Sequence, residues 1–138
     1  NEPEYYQNGH EVDWVSGSFM MVRREVFEKV GWFSEDYFMY FEDVEFCYRA
    51  KTASFGVMIN PRVSIKHLSG GSSRDPRLRQ WSGEFKGLII FYQKYFGVLL
   101  SILVRSLIYL SILLRILAFA LLGKFKFSLN YVKLISSI

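Results

Sequence analysis

Apolar and polar positions change period along the first half of the chain and predict strands and helices in turn. Short apolar runs predict extended segments at residues 18–23, 55–60 and 62–67. Apolar residues spaced three and four apart predict helices at residues 24–31, 42–53 and 81–97. This alternation of strands with helices indicates an α/β fold.

The most apolar stretch is residues 98–122, which are numerous enough to span a bilayer as a helix. Its 17 Leu, Ile, Val and Phe residues favour insertion by roughly 8 kcal/mol, and its two arginines oppose insertion by about 5 kcal/mol. On a helical projection Arg105, Arg115 and Ser101 share a stripe about 80° wide with two flanking lysines. Such a stripe is typical of a helix lying in the lipid headgroup layer.

Three placements of this stretch stay open: interfacial helices, a membrane-spanning helix, and a buried helix of a soluble core. The basic stripe favours the interfacial placement. We therefore expect a cytoplasmic location at the inner face of the cell membrane, with the membrane surface as a partner.

Charge divides the chain into two predicted domains. Residues 1–84 carry all 13 acids and 10 basic residues, a net charge of −3, whereas residues 85–138 carry 7 basic residues and no acid. The second part is basic and apolar, which favours a membrane surface with anionic lipid. Nucleic acid is not expected as a partner, because leucine and isoleucine dilute the basic residues.

Two adjacent carboxylates, Glu42 and Asp43, lie in the aromatic segment YFMYFEDVEFCYR. One interpretation is that they are first-turn acids that complement the dipole of the predicted helix, each by about 0.3–1 kcal/mol. The other is that an ionised carboxylate at this helix start accepts a proton from a bound hydroxyl. The aromatic neighbours would then exclude water and stack on a sugar ring.

His67 ends a predicted extended segment and precedes a loop at residues 68–75. It is either an isolated histidine bonded to backbone or a ligand for Mn²⁺ or Mg²⁺ beside carboxylates. The Gly/Ser run of the loop, with Ser72, could bind phosphate through backbone N–H groups. Arg74 is either a further phosphate contact or a solvated loop charge. The single cysteine, Cys47, excludes an intramolecular disulfide.

The segment DWVSGS places Trp14 and Gly17 just before the first predicted strand. Trp14 is either a core residue or a platform for a sugar acceptor. Gly17 would let the backbone approach a ligand closely.

A longer run resembles a known family. The segment VDWVSGSFMMVRREVFEKVGWFSEDYFMYFEDVEFCYRA, continued by INPRVSIKHLSGGSS, is similar to the C-terminal half of the catalytic domain of family 2 glycosyltransferases. The similarity covers roughly residues 12–74 and is closest to the rhamnosyltransferase-like group that builds bacterial surface polysaccharides. The ordered motifs that carry it are W-x-x-G, M-x-V-R-R, F-x-Y-x-E-D and a histidine before Gly/Ser.

The resemblance implies the C-terminal part of a GT-A fold, followed by apolar membrane-associated helices. It implies that Asp43 is the catalytic base, that Glu42 and Trp14 bind the acceptor, and that His67 completes a divalent-metal site. The implied activity is inverting transfer of a sugar from a nucleotide-sugar donor to an acceptor hydroxyl. A dTDP-rhamnose-like donor and a glycan or lipid-linked acceptor are the candidate substrates.

Two features depart from the family pattern. The chain contains no D-x-D motif, and the nucleotide-binding half is expected to precede residue 1, so the chain is expected to be a fragment that is inactive alone. The segment RLRQW does not match the Q-x-x-R-W of processive synthases, which favours an enzyme that adds one sugar per encounter. The alternative function is a non-catalytic membrane-binding module.

Overall fold

The structure is a computed structural model, and it describes residues 8–67 and 76–138. The chain forms two compact units. Unit 1 comprises the described residues of Asn1–Tyr37 and Phe41–Ser69, and unit 2 those of Phe38–Tyr40 and Gly70–Ile138. The predicted division into a glycosyltransferase part, residues 1–84, and a membrane-associated part, residues 85–138, concerns function and stays a prediction.

Unit 1 contains a short antiparallel ribbon of β1 (His10–Glu11) and β2 (Met58–Ile59). His10 pairs with Ile59 and Glu11 with Met58. The N–H of Val12 extends the ladder by donating to the carbonyl of Val57 at 2.8 Å.

The predicted strands are shorter than expected. The run at 55–60 yields only β2, the run at 62–67 is extended without strand pairing, and the run at 18–23 starts inside a 3-10 turn at Gly17–Phe19. A strand needs a neighbour as well as apolar residues, and the described part of the chain gives these segments little to pair with.

The first two helices follow the sequence prediction closely. Helix α1 is Arg24–Val30, and Gly31 ends it with φ of 79° while its N–H donates to the carbonyl of Phe27. Helix α2 is Glu42–Thr52. The two helices pack around the core of unit 1, which consists of Val26, Phe46 and Ala50.

A buried ion pair joins these helices. Glu45 is fully buried, and its carboxylate accepts the Nε–H of Arg49 at 2.9 and 3.0 Å. Arg49 also donates to the carbonyl of Val30 and, at 2.8 Å, to that of Trp32. An exposed i,i+4 pair contributes only about 0.3 kcal/mol, but this buried pair anchors the end of α1 against α2.

Unit 2 is helical, with α3 (Pro76–Phe96), α4 (Val98–Leu121) and α5 (Phe125–Ile135). Gly97 and Gly123 separate the helices with φ of 90° and 68°, a backbone region that favours glycine. The core is formed by Ile89, Ile108, Ile112 and Leu134. Helix α3 begins five residues before the predicted start at Trp81, at a proline that suits the first turn of a helix.

The segment Phe38–Tyr40 packs with α3 inside unit 2. A Cβ on Gly83 would lie 2.5 Å from the carbonyl oxygen of Met39 and 2.8 Å from Cδ2 of Tyr40, so only glycine permits this approach. The guanidinium of Arg79 lies 5.5 Å from the ring centre of Phe38.

Helix α4 confirms the predicted apolar stretch as a helix of 24 residues. Its stripe of basic residues is also the side that packs. Ser101 is buried and donates to the carbonyl of Ile89 at 3.2 Å, and Ile108 and Ile112 lie in the same sector, while Arg105 and Arg115 stay exposed. The stripe is interrupted where the helix packs, because two isoleucines and a serine of that sector form the contact with α3 and α5, and the interfacial placement stays a prediction.

The outward side of α4 is apolar. Its exposed residues include Leu99, Leu103, Leu107, Leu110, Leu114, Leu117 and Leu121. Among the described residues, α4 is the one helix long and apolar enough to cross a membrane by length and composition, with a mean hydropathy of 2.1 in its most apolar window. Only 11% of the residues in this most apolar stretch of α4 are buried.

Candidate active site

The acidic pair stands at the start of α2, directly after a strained turn. Tyr40 and Phe41 have φ of 69° and 79°, in the left-handed region that non-glycine residues rarely occupy. Such residues cost about 1–3 kcal/mol each and cluster at functional sites. Phe41 is the N-cap and gives no side-chain hydrogen bond, so the first-turn acids Glu42, Asp43 and Glu45 are what complement the helix dipole.

The carboxylate of Asp43 connects α2 to the start of the 3-10 turn at Gly17–Phe19. Its Oδ2 accepts the N–H of Gly17 at 2.9 Å, and its Oδ1 accepts the N–H of Val44 at 2.8 Å. A carboxylate oxygen has two acceptor positions, so each oxygen keeps one for a bound hydroxyl. The structure therefore supports both open interpretations of Asp43, as a structural acceptor and as a proton acceptor.

Gly17 contacts Asp43 through its backbone N–H, and this contact does not require glycine at position 17. A Cβ at this position would lie 3.6 Å from the Cβ of Asp43, which is an ordinary contact. This hydrogen bond could not be predicted from periodicity, because the two residues are 26 positions apart. The predicted role of Gly17 in binding the acceptor stays a prediction.

The carboxyl group of Glu42 is poorly solvated. Its Oε2 is buried and has no hydrogen-bond partner among the described residues. Burial raises the pKa of Glu42 above its ordinary value, and the charge of Asp43 raises that pKa further. An unsatisfied buried oxygen is costly, and a hydroxyl from a bound ligand would satisfy it.

Trp14 lies on a segment that is fixed to α2 by Lys51. The ammonium of Lys51 donates to Oδ1 of Asp13 at 2.8 Å and to the carbonyl of Val12 at 3.2 Å, and it lies 3.8 Å from a carboxylate oxygen of Glu11. The hydrogen bond and charge of Lys51 lower the pKa of Asp13. Trp14 is 50% exposed, so it is not a core residue, and its role at an acceptor site stays a prediction.

The predicted metal ligand His67 is not part of a donor cluster among the described residues. His67 is exposed at the end of an extended segment. Within residues 8–67 and 76–138, no three His, Cys, Asp or Glu side chains converge as a metal site would require. The described residues therefore do not form a donor set for the divalent metal implied by the resemblance. Ser72 and Arg74 lie outside the described residues.

A comparison with known families decides the class of this chain. Residues 4–136 match the family described as Glycosyl transferase family group 2, which is nearly the whole chain. The chain belongs to this family. The predicted resemblance to family 2 glycosyltransferases is confirmed, and membership implies a GT-A fold for the catalytic domain, of which the described residues show little sheet.

Several glycosyltransferases are similar to this family member in sequence. The low-salt glycan biosynthesis hexosyltransferase Agl10 of Haloferax volcanii is 46% identical over 46 residues, 33% of this chain and 15% of its own length. An N-acetylglucosaminyl-diphospho-decaprenol L-rhamnosyltransferase of Mycobacterium tuberculosis is 42% identical over 66 residues, 47% of this chain and 22% of its own length. The rhamnosyltransferase WbbL of Escherichia coli is 38% identical over 63 residues, 46% of this chain and 24% of its own length.

The chain thus matches less than a quarter of the length of each of these relatives. No solved structure is similar enough to support a structural comparison.

Proposed function

We propose that this chain is the acceptor side of an inverting glycosyltransferase that acts in cell-surface polysaccharide biosynthesis. Family membership supports the reaction class. The observation that carries the site is the Asp43 carboxylate, held by the N–H of Gly17 beside the unsatisfied oxygen of Glu42. Together they offer one proton acceptor and one hydroxyl-binding oxygen at the start of α2.

In the proposed reaction, the acceptor hydroxyl binds with its hydrogen directed at Asp43. As the hydroxyl oxygen forms a bond to the anomeric carbon, its proton passes to the Asp43 carboxylate. The bond between the anomeric carbon and the diphosphate breaks, the nucleoside diphosphate leaves with the electron pair, and the anomeric centre inverts. Glu42 orients the acceptor by a hydrogen bond to a second hydroxyl.

The relatives indicate the substrate class. Two of them are named as rhamnosyltransferases, and one name includes a diphospho-decaprenol. We therefore propose a dTDP-rhamnose-like donor and a glycan or lipid-linked acceptor, with the parts of the domain outside this chain binding the nucleotide. On this proposal the 138-residue chain alone transfers no sugar.

We include a divalent metal, Mn²⁺ or Mg²⁺, because the resemblance to family 2 glycosyltransferases implies one. No step of the reaction described above depends on this metal. His67 is the proposed ligand from this chain, and Ser72 and Arg74 are proposed phosphate contacts. We expect His67→Ala to weaken manganese binding by the longer protein that contains this sequence. Unchanged manganese affinity in a calorimetric titration would remove His67 from the site.

The test of sugar transfer uses that longer protein with dTDP-rhamnose and a polyprenyl-diphosphate-linked N-acetylglucosamine acceptor. We expect a product whose new linkage has the anomeric configuration opposite to that of the donor, as read by NMR. A product with retained configuration would contradict the base role of Asp43, and the absence of transfer from this and other sugar nucleotides would contradict the function.

A second function, membrane binding without catalysis, is favoured by the exposed leucines of α4 and the excess of basic residues after residue 84. We propose that this part holds the protein at the cytoplasmic face of the membrane. If the longer protein binds vesicles but neither binds nor hydrolyses a sugar nucleotide, membrane binding is the function and the acidic pair is structural.

A further inference from the structure

The turn before the acidic pair has a backbone conformation that its residues disfavour. Tyr40 and Phe41 have φ of 69° and 79°, in the left-handed region that favours glycine. Residues with a side chain keep this conformation only where the surrounding structure fixes it. Packing contacts must therefore stabilise this turn.

Phe41 is fixed by residues of unit 1. It is the N-cap of α2, and its carbonyl accepts the N–H of Glu45 at 3.0 Å. Its ring stacks on the ring of Tyr37, with the ring centres 6.3 Å apart and 21° between the planes, and Tyr37 is buried. Both the backbone and the side chain of Phe41 are thus held in place.

The conformation of Tyr40 depends on α3, inside unit 2. A Cβ on Gly83 would lie 2.5 Å from the carbonyl oxygen of Met39, 2.8 Å from Cδ2 of Tyr40 and 3.4 Å from its Cβ. The carbonyl oxygen of Met39 belongs to the planar peptide group that joins Met39 to Tyr40. Moving this oxygen away from α3 rotates the peptide group, and that rotation changes φ of Tyr40.

A glycine inside a helix needs such a reason. Glycine is less favourable than alanine in a helix interior, and Gly83 lies within the 21-residue helix α3. The close approach of the peptide between Met39 and Tyr40 is a contact that alanine would not permit.

We propose that Gly83 is a positioning residue for the acidic pair. By letting α3 contact the peptide between Met39 and Tyr40, it fixes the left-handed turn from which Glu42 and Asp43 follow at the start of α2. Gly83 acts through this turn and does not touch the substrate. Its effect on turnover rests on the proposed function, whereas its effect on the geometry of Asp43 does not.

Amide hydrogen exchange in the 138-residue chain tests the geometry, because the N–H of Gly17 donates to the Asp43 carboxylate. We expect Gly83→Ala to speed the exchange of the Gly17 amide about tenfold or more. The amide of Gly31, which donates to the carbonyl of Phe27, should keep its wild-type rate. Unchanged exchange at Gly17, or equal acceleration at Gly17 and Gly31, would overturn the proposal.

Two further variants separate the turn from the helix. Lys86→Ala is the matched control, because it places the same residue at an exposed position of α3, and we expect it to leave the exchange of Gly17 unchanged. Tyr40→Ala removes the ring that packs on Gly83 without adding volume to α3, and it should speed the exchange of Gly17 as Gly83→Ala does. A response to Lys86→Ala as large as that to Gly83→Ala would contradict the inference.

Turnover of the longer protein that contains this sequence gives the second readout. We expect Gly83→Ala to lower kcat about tenfold or more with an unchanged Kd for the sugar nucleotide, because a small displacement of Asp43 misaligns it with the acceptor hydroxyl. Lys86→Ala should change neither. An unchanged kcat in Gly83→Ala would overturn the positioning role.

Failure of the proposed function has a different signature. In that case Asp43→Asn keeps the kcat of wild type, while the exchange of Gly17 still responds to Gly83→Ala. If Asp43→Asn lowers kcat but Gly83→Ala changes neither kcat nor the exchange of Gly17, the proposed function stands and the positioning role of Gly83 is wrong.

Discussion

At the scale of single residues, the environments of Glu42 and Asp43 differ although the two are adjacent. Asp43 accepts two backbone N–H groups, whereas Glu42 has a buried oxygen without a partner among the described residues. The pair therefore combines a carboxylate fixed in place with one whose hydrogen bonding is incomplete. A ligand hydroxyl would complete it, which is what an acceptor site requires.

The raised pKa of Glu42 predicts how stability depends on pH. Burial disfavours the ionised carboxylate, so the protonated form is retained in the folded state to a higher pH than in the unfolded state. The resulting stabilisation is present below the unfolded pKa and is lost as pH rises through the folded pKa. Glu42→Gln cannot titrate, so we expect it to gain stability relative to wild type between about pH 4 and pH 7.

Urea unfolding at several pH values measures this effect, with Glu35→Gln as the control because Glu35 is exposed. If the difference in unfolding free energy between wild type and Glu42→Gln is the same at about pH 4 and pH 7, Glu42 is not the buried carboxyl described above.

The candidate residues were predicted from motifs in the sequence and their roles stay predictions, whereas their contacts could not be predicted. The order of motifs around Trp14, Glu42, Asp43 and His67 indicated the family. The bonds from Gly17 to Asp43 and from Lys51 to Asp13 join positions 26 and 38 residues apart. Their geometry depends on how the chain folds back, and periodicity carries no signal for such a contact.

At the scale of elements, a buried ion pair fixes α2 to the end of α1. Glu45 is fully buried, and the side chain of Arg49 is 19% exposed. Arg49 also donates hydrogen bonds to the carbonyls of Val30 and Trp32. Its side chain therefore links the Glu45 carboxylate of α2 to two backbone carbonyls at and just after the end of α1. Breaking a buried pair by removing one partner is far more costly than the pair itself is stabilising.

We expect Arg49→Met to lower the free energy of unfolding by about 3 kcal/mol or more, because it leaves the Glu45 carboxylate buried without its cation. The matched control is Arg24→Met, which removes another i,i+4 pair, between Arg24 and Glu28, whose side chains are 91% and 66% exposed. That change should cost no more than about 0.5 kcal/mol. Similar losses from the two variants in chemical denaturation would contradict the structural role of Arg49.

Helices could be predicted from this sequence more reliably than strands. The periodicity and Gly31 defined α1, and the helix at 42–53 is α2 within one residue. A helix satisfies its backbone within one segment, whereas a strand depends on a partner segment. Of the predicted strand at 18–23, residues 20–23 are therefore extended but not paired as a strand within the described part of the chain.

At the scale of the whole chain, composition separates an acidic, mixed part from a basic, apolar one. The basic part contains α4, whose outward side carries Leu107 and Leu114, 54% and 57% exposed. Exposed leucines in such number are unusual on a soluble surface and indicate an interaction site. The flanking basic residues favour an anionic lipid surface as the partner.

We expect the intact chain to sediment with phosphatidylglycerol vesicles and much less with phosphatidylcholine vesicles. Leu107→Gln combined with Leu114→Gln should lower binding to both, because it removes apolar area, whereas Arg105→Gln combined with Arg115→Gln should lower only the binding to anionic vesicles, by about tenfold or more. Release by alkaline carbonate would favour an interfacial helix over a spanning one. Absence of binding to either vesicle would contradict the membrane proposal.

The proposed function depends on Asp43 removing the proton of the acceptor hydroxyl, and a comparison of donor binding with turnover measures this role. In the longer protein, Asp43→Asn keeps an oxygen that can accept the N–H of Gly17, but its amide is no base. We expect this variant to bind the sugar nucleotide with an unchanged Kd while kcat falls at least about 100-fold, and we expect Glu35→Gln to change neither. A kcat within a few-fold of wild type would mean that Asp43 is not the catalytic base.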